Sequence, residues 1–180
     1  MPEPRSSTPI ANEPSTLRHA ADHGREPTAL PWVDVLEHLA RADGFWVVTL
    51  DRTGSPCPRP VFAVVVDEAV HTSSSPAARK ARNLASDARC ALGAHTDDFD
   101  LVIEGIGRRV TGTTALEQVA DAYRARYGWP VTVAGDAMDA PFGAPTAGPP
   151  PYAVFRIEPI RAYAIGITDD TNYLSTRYRF

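Results

Sequence analysis

Apolar residues recur at helical spacing in only a few short stretches of this chain, and most of its order is written with a period of two. Trp32, Val35, Leu36 and Leu39 fall on one face of a helix expected from Pro31 to about Ala42, with Gly44 as its stop. From Phe45 the pattern changes. Phe45 to Leu50 reads as a strand, Asp51 to Gly54 as a turn, Cys57 to Val66 as a second strand, Asp67-Glu68 as a tight hairpin turn and Ala69 to Ser73 as a third strand. The unbroken apolar run from Val61 to Val66 predicts burial on both faces, as in a closed barrel or a dimer interface. Pro58 and Pro60 flank Arg59 and interrupt that run, and proline belongs on sheet edges or strand starts.

Arg89 to His95 continues as a strand, Asp97-Asp98 as a turn, and Leu101 to Thr111 as a long strand. Gly105 and Gly107 inside that long strand mark a bulge, a bend or the close approach of another backbone. Thr114-Ala-Leu-Glu117 has the form of a capping box, opening a helix whose stripe is Leu116, Val119, Ala120, Tyr123 and Tyr127. Gly128 ends it, just before Trp129-Pro130. Residues Ala134 to Pro151 then read as a long Gly/Pro loop carrying Met138 and Phe142. Such a loop suits a lid over a pocket walled by Trp129, Met138 and Phe142, and equally a variable insertion. Tyr152 to Ile157 and Ile160 to Ile165 are two closing strands around Glu158-Pro159.

The first 27 residues have almost no large apolar side chains, so they are expected to stay disordered, with one domain over residues 28–180. His19 and His23 within that stretch have helical spacing but no third ligand, so no metal site is expected. A net charge of −4 excludes a general nucleic-acid binder. No apolar run is long enough to span a membrane, and the start lacks a signal-peptide core, which points to the cytoplasm. Cys57 and Cys90 read as packing residues, and His71 and His95 as strand-end histidines at the solvent edge.

One stretch carries candidate chemistry. Ser73-Ser74-Ser75-Pro76 precedes Ala77-Ala78-Arg79-Lys80-Ala81-Arg82-Asn83-Leu84, with Ser75 placed to cap a helix and Pro76 to open it. Cations at a helix N-terminus oppose the dipole unless an anion joins them, and here there are three and no acid. Of the 18 basic Lys and Arg side chains, only Lys80 is a lysine. Hydroxyls, free N–H groups and Arg79 with Lys80 make a phosphate site. The competing reading is a solvated helix face.

These residues, followed by Asp87-Ala-Arg89, resemble the pyridoxamine 5′-phosphate oxidase-like superfamily of flavin- and deazaflavin-binding proteins. The ending Thr176-Arg177-Tyr178-Arg179-Phe180 is similar to the Thr-Arg-Trp-Arg-Phe close of many actinobacterial members. The resemblance implies a mainly β (α+β) fold, an antiparallel split β-barrel with about three flanking helices, working as a homodimer. It implies coenzyme F-420 or FMN as cofactor, with Arg79 and Lys80 on the phosphate and Ser73 and Ser74 as further donors. Arg59, Pro60, Val61 and Phe62 match the strand that lies along the ring, and Arg177 matches a C-terminal segment that reaches the cofactor across the dimer.

The chain departs from the family pattern at Ala77-Ala78, where Gly-Ser is common, which removes a hydroxyl. It also lacks the C-terminal Arg/His motif of a true vitamin oxidase. No dinucleotide motif, P-loop or nucleophile–base pair is present, which fits a cofactor that carries the hydride chemistry itself. The function implied is an oxidoreductase moving hydride between F-420 or FMN and a small organic substrate. The alternative is a split-barrel protein that holds a flavin or haem without turnover.

Overall fold

The computed structural model describes residues 3–10, 28–144, 147–167 and 173–180. The chain forms short strands β1 (Ser6–Pro9) and β2 (Thr28–Ala29), then helix α1 (Trp32–Arg41) and strands β3 (Gly44–Leu50), β4 (Pro56–Val61), β5 (Ala63–Val66) and β6 (Ala69–Ser74). Helix α2 (Arg79–Ser86), strands β7 (Arg89–His95) and β8 (Phe99–Val110) and helix α3 (Thr113–Tyr127) follow. The chain closes with β9 (Thr132–Ala134), β10 (Ala137–Asp139), β11 (Ala153–Gly166), β12 (Tyr173–Leu174) and β13 (Thr176–Arg179). This is the expected antiparallel α+β split barrel, with three helices among the described residues.

The expected second strand is in fact two. β4 pairs with β3, β5 pairs with β6, and Phe62 is the corner at which the chain changes partner. Because β6 pairs with β11, and β11 with β8, β7 and β3 in turn, this corner closes the sheet on itself. The apolar run is buried on both faces for that reason. Ala63 faces the core under α1 and Val64 faces the core under α3.

The corner breaks the backbone ladder, and buried backbone groups need other partners. Tyr123 and Thr72 both donate hydroxyl hydrogen bonds to the Phe62 carbonyl at 3.0 Å. Tyr127 accepts from the Ala63 N–H at 3.1 Å and donates to the Ala63 carbonyl at 2.7 Å. The tyrosine stripe of α3 is thus both core and corner brace.

Several sequence expectations are corrected. The two closing strands are one, since β11 runs through Pro159 with a register shift between Pro159 and Arg161 while pairing with β8 throughout. Gly105 permits this: a Cβ there would lie 2.9 Å from the Glu158 carbonyl carbon. The capping box does not form. Helix α3 starts at Thr113 after Gly112 at φ 89°, and Glu117 instead approaches Arg124 at 3.6 Å. The first part of the long loop is a β9–β10 hairpin turning at Gly135, with Met138 N–H and C=O bonded to Tyr152. Ser6–Pro9, within the segment expected to be disordered, pairs with β13. Residues 11–27, with His19 and His23, lie outside the described residues.

Candidate cofactor site

Helix α2 begins later than its sequence suggested. Ser75 is buried and spends its N–H on the Ala147 carbonyl and its C=O on the Ala78 N–H, so residues 75–78 form a turn rather than a cap. The helix starts at Arg79 after Ala78, with no side-chain cap. Its register is fixed by Asn83, which is buried and donates to Thr49 Oγ1 at 2.9 Å. Leu84 packs beneath it with Phe155.

This geometry separates the three cations. Arg79 turns outward to Asp51 at 2.9 Å, and Arg82 donates to the Ala77 carbonyl. Lys80 points inward and is only 6% exposed. Its pKa is lowered by burial and, secondarily, by the Arg59 charge. A buried ammonium beside a second cation is a place where an anion gains attraction from both. The Arg59 guanidinium meanwhile donates to the Pro58 carbonyl at 2.7 Å.

Lys80, Ser73, Val61, Phe62 and Trp129 line one cavity, with Ala144 and Ala147 closing it. Ser74 lies beside it, fully buried, its hydroxyl on the Ser75 carbonyl at 3.3 Å. The free space is about 10 Å³, one water's worth, so an aromatic ring can occupy only the mouth and not the interior. Phe62 stacks on Tyr127 with ring centroids 4.2 Å apart, and Trp129 is buried with its indole N–H on the Phe142 carbonyl. Residues from β4, β6 and α2, distant in sequence, therefore meet here.

Other candidates fall elsewhere. Met138 is fully buried between α3 and Tyr152 as a core residue, and Phe142 is 58% exposed. Arg177 pairs with Tyr163, ten residues along β11 from Ala153, the partner of Ser74; at ordinary strand rise that is about 33 Å. One chain does not bring Arg177 to Lys80.

His71 is also not at the solvent edge: it is buried, Nδ1 lies 3.1 Å from the Ala69 carbonyl, and burial lowers its pKa to about 4. His95 is exposed as expected but has a carboxylate partner, Asp100, at 2.7 Å, which raises its pKa. The sequence reading missed Asp51. Its side chain accepts from Thr53 and Ser55 and fixes Arg79, and the Asp-x-Thr-x-Ser spacing after β3 was the available signal. Cys90 is part-buried, and burial pushes its thiol up to about 11, in keeping with packing.

The sequence profile described as pyridoxamine 5′-phosphate oxidase matches residues 34–166. The chain belongs to the pyridoxamine 5′-phosphate oxidase family. Among solved structures of this fold, the conserved hypothetical protein Rv2991 from Mycobacterium tuberculosis is similar at TM-score 0.59 and 16% identity, covering 81% of this chain and 90% of that one. A NimC/NimA family protein from Clostridium acetobutylicum is similar at TM-score 0.58 and 10% identity, covering 83% and 93%. A putative pyridoxamine 5′-phosphate oxidase from Listeria innocua is similar at TM-score 0.55 and 12% identity, covering 74% and 97%. No curated protein is significantly similar. These likenesses show the fold.

Proposed function

We propose that this chain is an oxidoreductase that binds F-420 or FMN and exchanges hydride between that cofactor and a small organic substrate. The observation that carries the proposal is Lys80, buried beside Arg59 at a cavity walled by Val61, Phe62, Ser73 and Trp129. The donor set fits a phosphate monoester or diester: two cations, a hydroxyl-rich strand end and the N-terminal end of the α2 dipole. A bound flavin or deazaflavin supplies hydride chemistry. The chain's own residues would then anchor and orient it. Lys80 and Arg59 hold the phosphate, Ser73 adds a hydroxyl from the cavity wall, and Arg79, fixed by Asp51, contributes charge at the rim. The strand from Arg59 to Phe62 supports the ring, and Trp129 bounds the substrate side.

The small cavity favours a ring held at a surface that a second copy covers, so we infer a homodimer in which Arg177 comes from the other chain. Trp46, 55% exposed between Pro60 and Gly93 on the outer sheet face, gives that second copy an apolar footing.

The test is a fluorescence titration of the protein and of Lys80→Ala with FMN and with F-420. A charge-assisted phosphate contact predicts binding about 10- to 150-fold weaker in the variant. No binding of either cofactor, or an unchanged affinity in the variant, overturns the proposal. Hydride transfer from the reduced complex to any acceptor separates the enzyme from a protein that merely stores a flavin or haem.

A further inference from the structure

A second cavity lies away from Lys80 and is much larger, about 180 Å³ against about 10 Å³. His38 and Arg41 of α1 line it, together with Thr96, Asp97 and Asp98 of the β7–β8 turn. Helix α2 docks on Thr49, whose partner on β7 is Cys90, and Thr96 is six residues further on, about 20 Å at ordinary strand rise. The turn that carries the two aspartates is rigid. The Thr96 N–H and hydroxyl both donate to the Phe99 carbonyl, at 3.0 and 2.8 Å, and the hydroxyl oxygen accepts from the Phe99 N–H at 3.0 Å. The Asp98 carbonyl accepts from the Ile167 N–H at 2.9 Å. Negative charge extends past the cavity, since Asp43, Asp97 and Asp100 all act on the His95 ring. The wall from α1 is basic. His38 is set edge-on to Phe99, with ring centroids 5.1 Å apart. Arg41 pairs with Glu37 at 3.7 Å, an exposed contact that leaves guanidinium N–H groups for another acceptor. Basic residues in a last turn ordinarily serve the carbonyl end of the helix, but here Arg126 donates to the carbonyls of Ala40 and Ala42.

We propose that this cavity is a separate ligand site that takes a small zwitterion, its ammonium on the Asp97–Asp98 wall and its carboxylate on Arg41. A simple anion would meet two carboxylates, and a simple cation would meet Arg41. A molecule with both charges finds a complementary group for each end. The space admits a molecule of amino-acid size, since one water needs only about 10–15 Å³. The site shares no residue with the Lys80 cavity, so it stands or falls independently of the cofactor reading.

The test is an NMR titration of the isotope-labelled full chain with four five-carbon probes. L-Norvaline and 5-aminopentanoate are zwitterions with different charge separations, while pentylamine and pentanoate each keep one charged end. The titrations are repeated on Asp97→Asn and Arg41→Gln, both at exposed positions, with circular dichroism as the check on folding. We expect at least one zwitterion to bind more tightly than either single-charge probe, shifting the amides of the β7–β8 turn. Each variant should weaken that zwitterion about 10-fold or more, the loss of one charge-assisted contact. No binding of any probe at millimolar concentration overturns the site. A zwitterion that binds no better than pentylamine or pentanoate overturns the charge assignment. An affinity unchanged in either folded variant means that the residue does not hold its end of the ligand, and overturns the two-ended site.

Discussion

Arg79 donates to Asp51 across 2.9 Å, tying the first residue of α2 to the turn that follows β3. The pair explains why adjacent cations in one short motif have different surroundings. Asp51 holds one at the rim, and the helix carries the next, Lys80, into the protein.

Asp51 should be an acid-sensitive latch. Hydrogen bonds from Thr53 and Ser55, with a smaller contribution from Arg79, hold its carboxyl down to about 2. A carboxylate with a depressed folded pKa stabilises the fold above its ordinary value and loses that effect as pH falls toward the folded one. Asp51→Asn should therefore melt lower than the native chain at pH 6, and the gap should shrink between about pH 4 and pH 2. Thermal melts across that range check it; a constant gap would refute the latch.

His71 works in a higher window. Burial lowers its pKa to about 4, so the unfolded chain takes up a proton before the folded one does. The fold's stability should be complete above about pH 6.5 and decline as pH falls toward 4, by on the order of 5 °C in Tm. His71→Gln should flatten that slope, as differential scanning calorimetry between pH 4 and 7 would register.

Tyr127→Phe removes one hydroxyl that serves both backbone groups of Ala63. Leaving them unpaired next to the corner should destabilise the protein by about 1–3 kcal/mol. Urea unfolding measures the loss, and an unaltered midpoint would mean that water or a shifted backbone replaces the hydroxyl.

Trp46→Glu puts a charge on the exposed outer face without touching either core. Light scattering should report two chains for the native protein and one for the variant, with monomer melting little changed. A native monomer would remove the two-chain site and, with it, a role for Arg177.

The sequence alone determined the element types and most of their order. Alternation over Phe45–Leu50 and Arg89–His95, helical spacing at Trp32–Leu39 and the positive-φ glycine at Gly128 are local signals, and local sterics and burial enforce them. Around Lys80 the succession of strand, turn and helix was likewise legible, although the helix starts at Arg79 and not at Pro76. Tertiary structure decided the rest. Where Phe62 turns from one partner strand to another, that β11 passes straight through Pro159 over Gly105, and that Ser75 spends its backbone on Ala147 instead of capping a helix are all settled by residues far away in the chain. The same holds for the division of labour between Arg79 and Lys80. Their order in the sequence is fixed, but which one is exposed and which is buried follows from how α2 docks, through Asn83 on Thr49 and Leu84 on Phe155, and a docking energy spread over distant partners leaves no local trace.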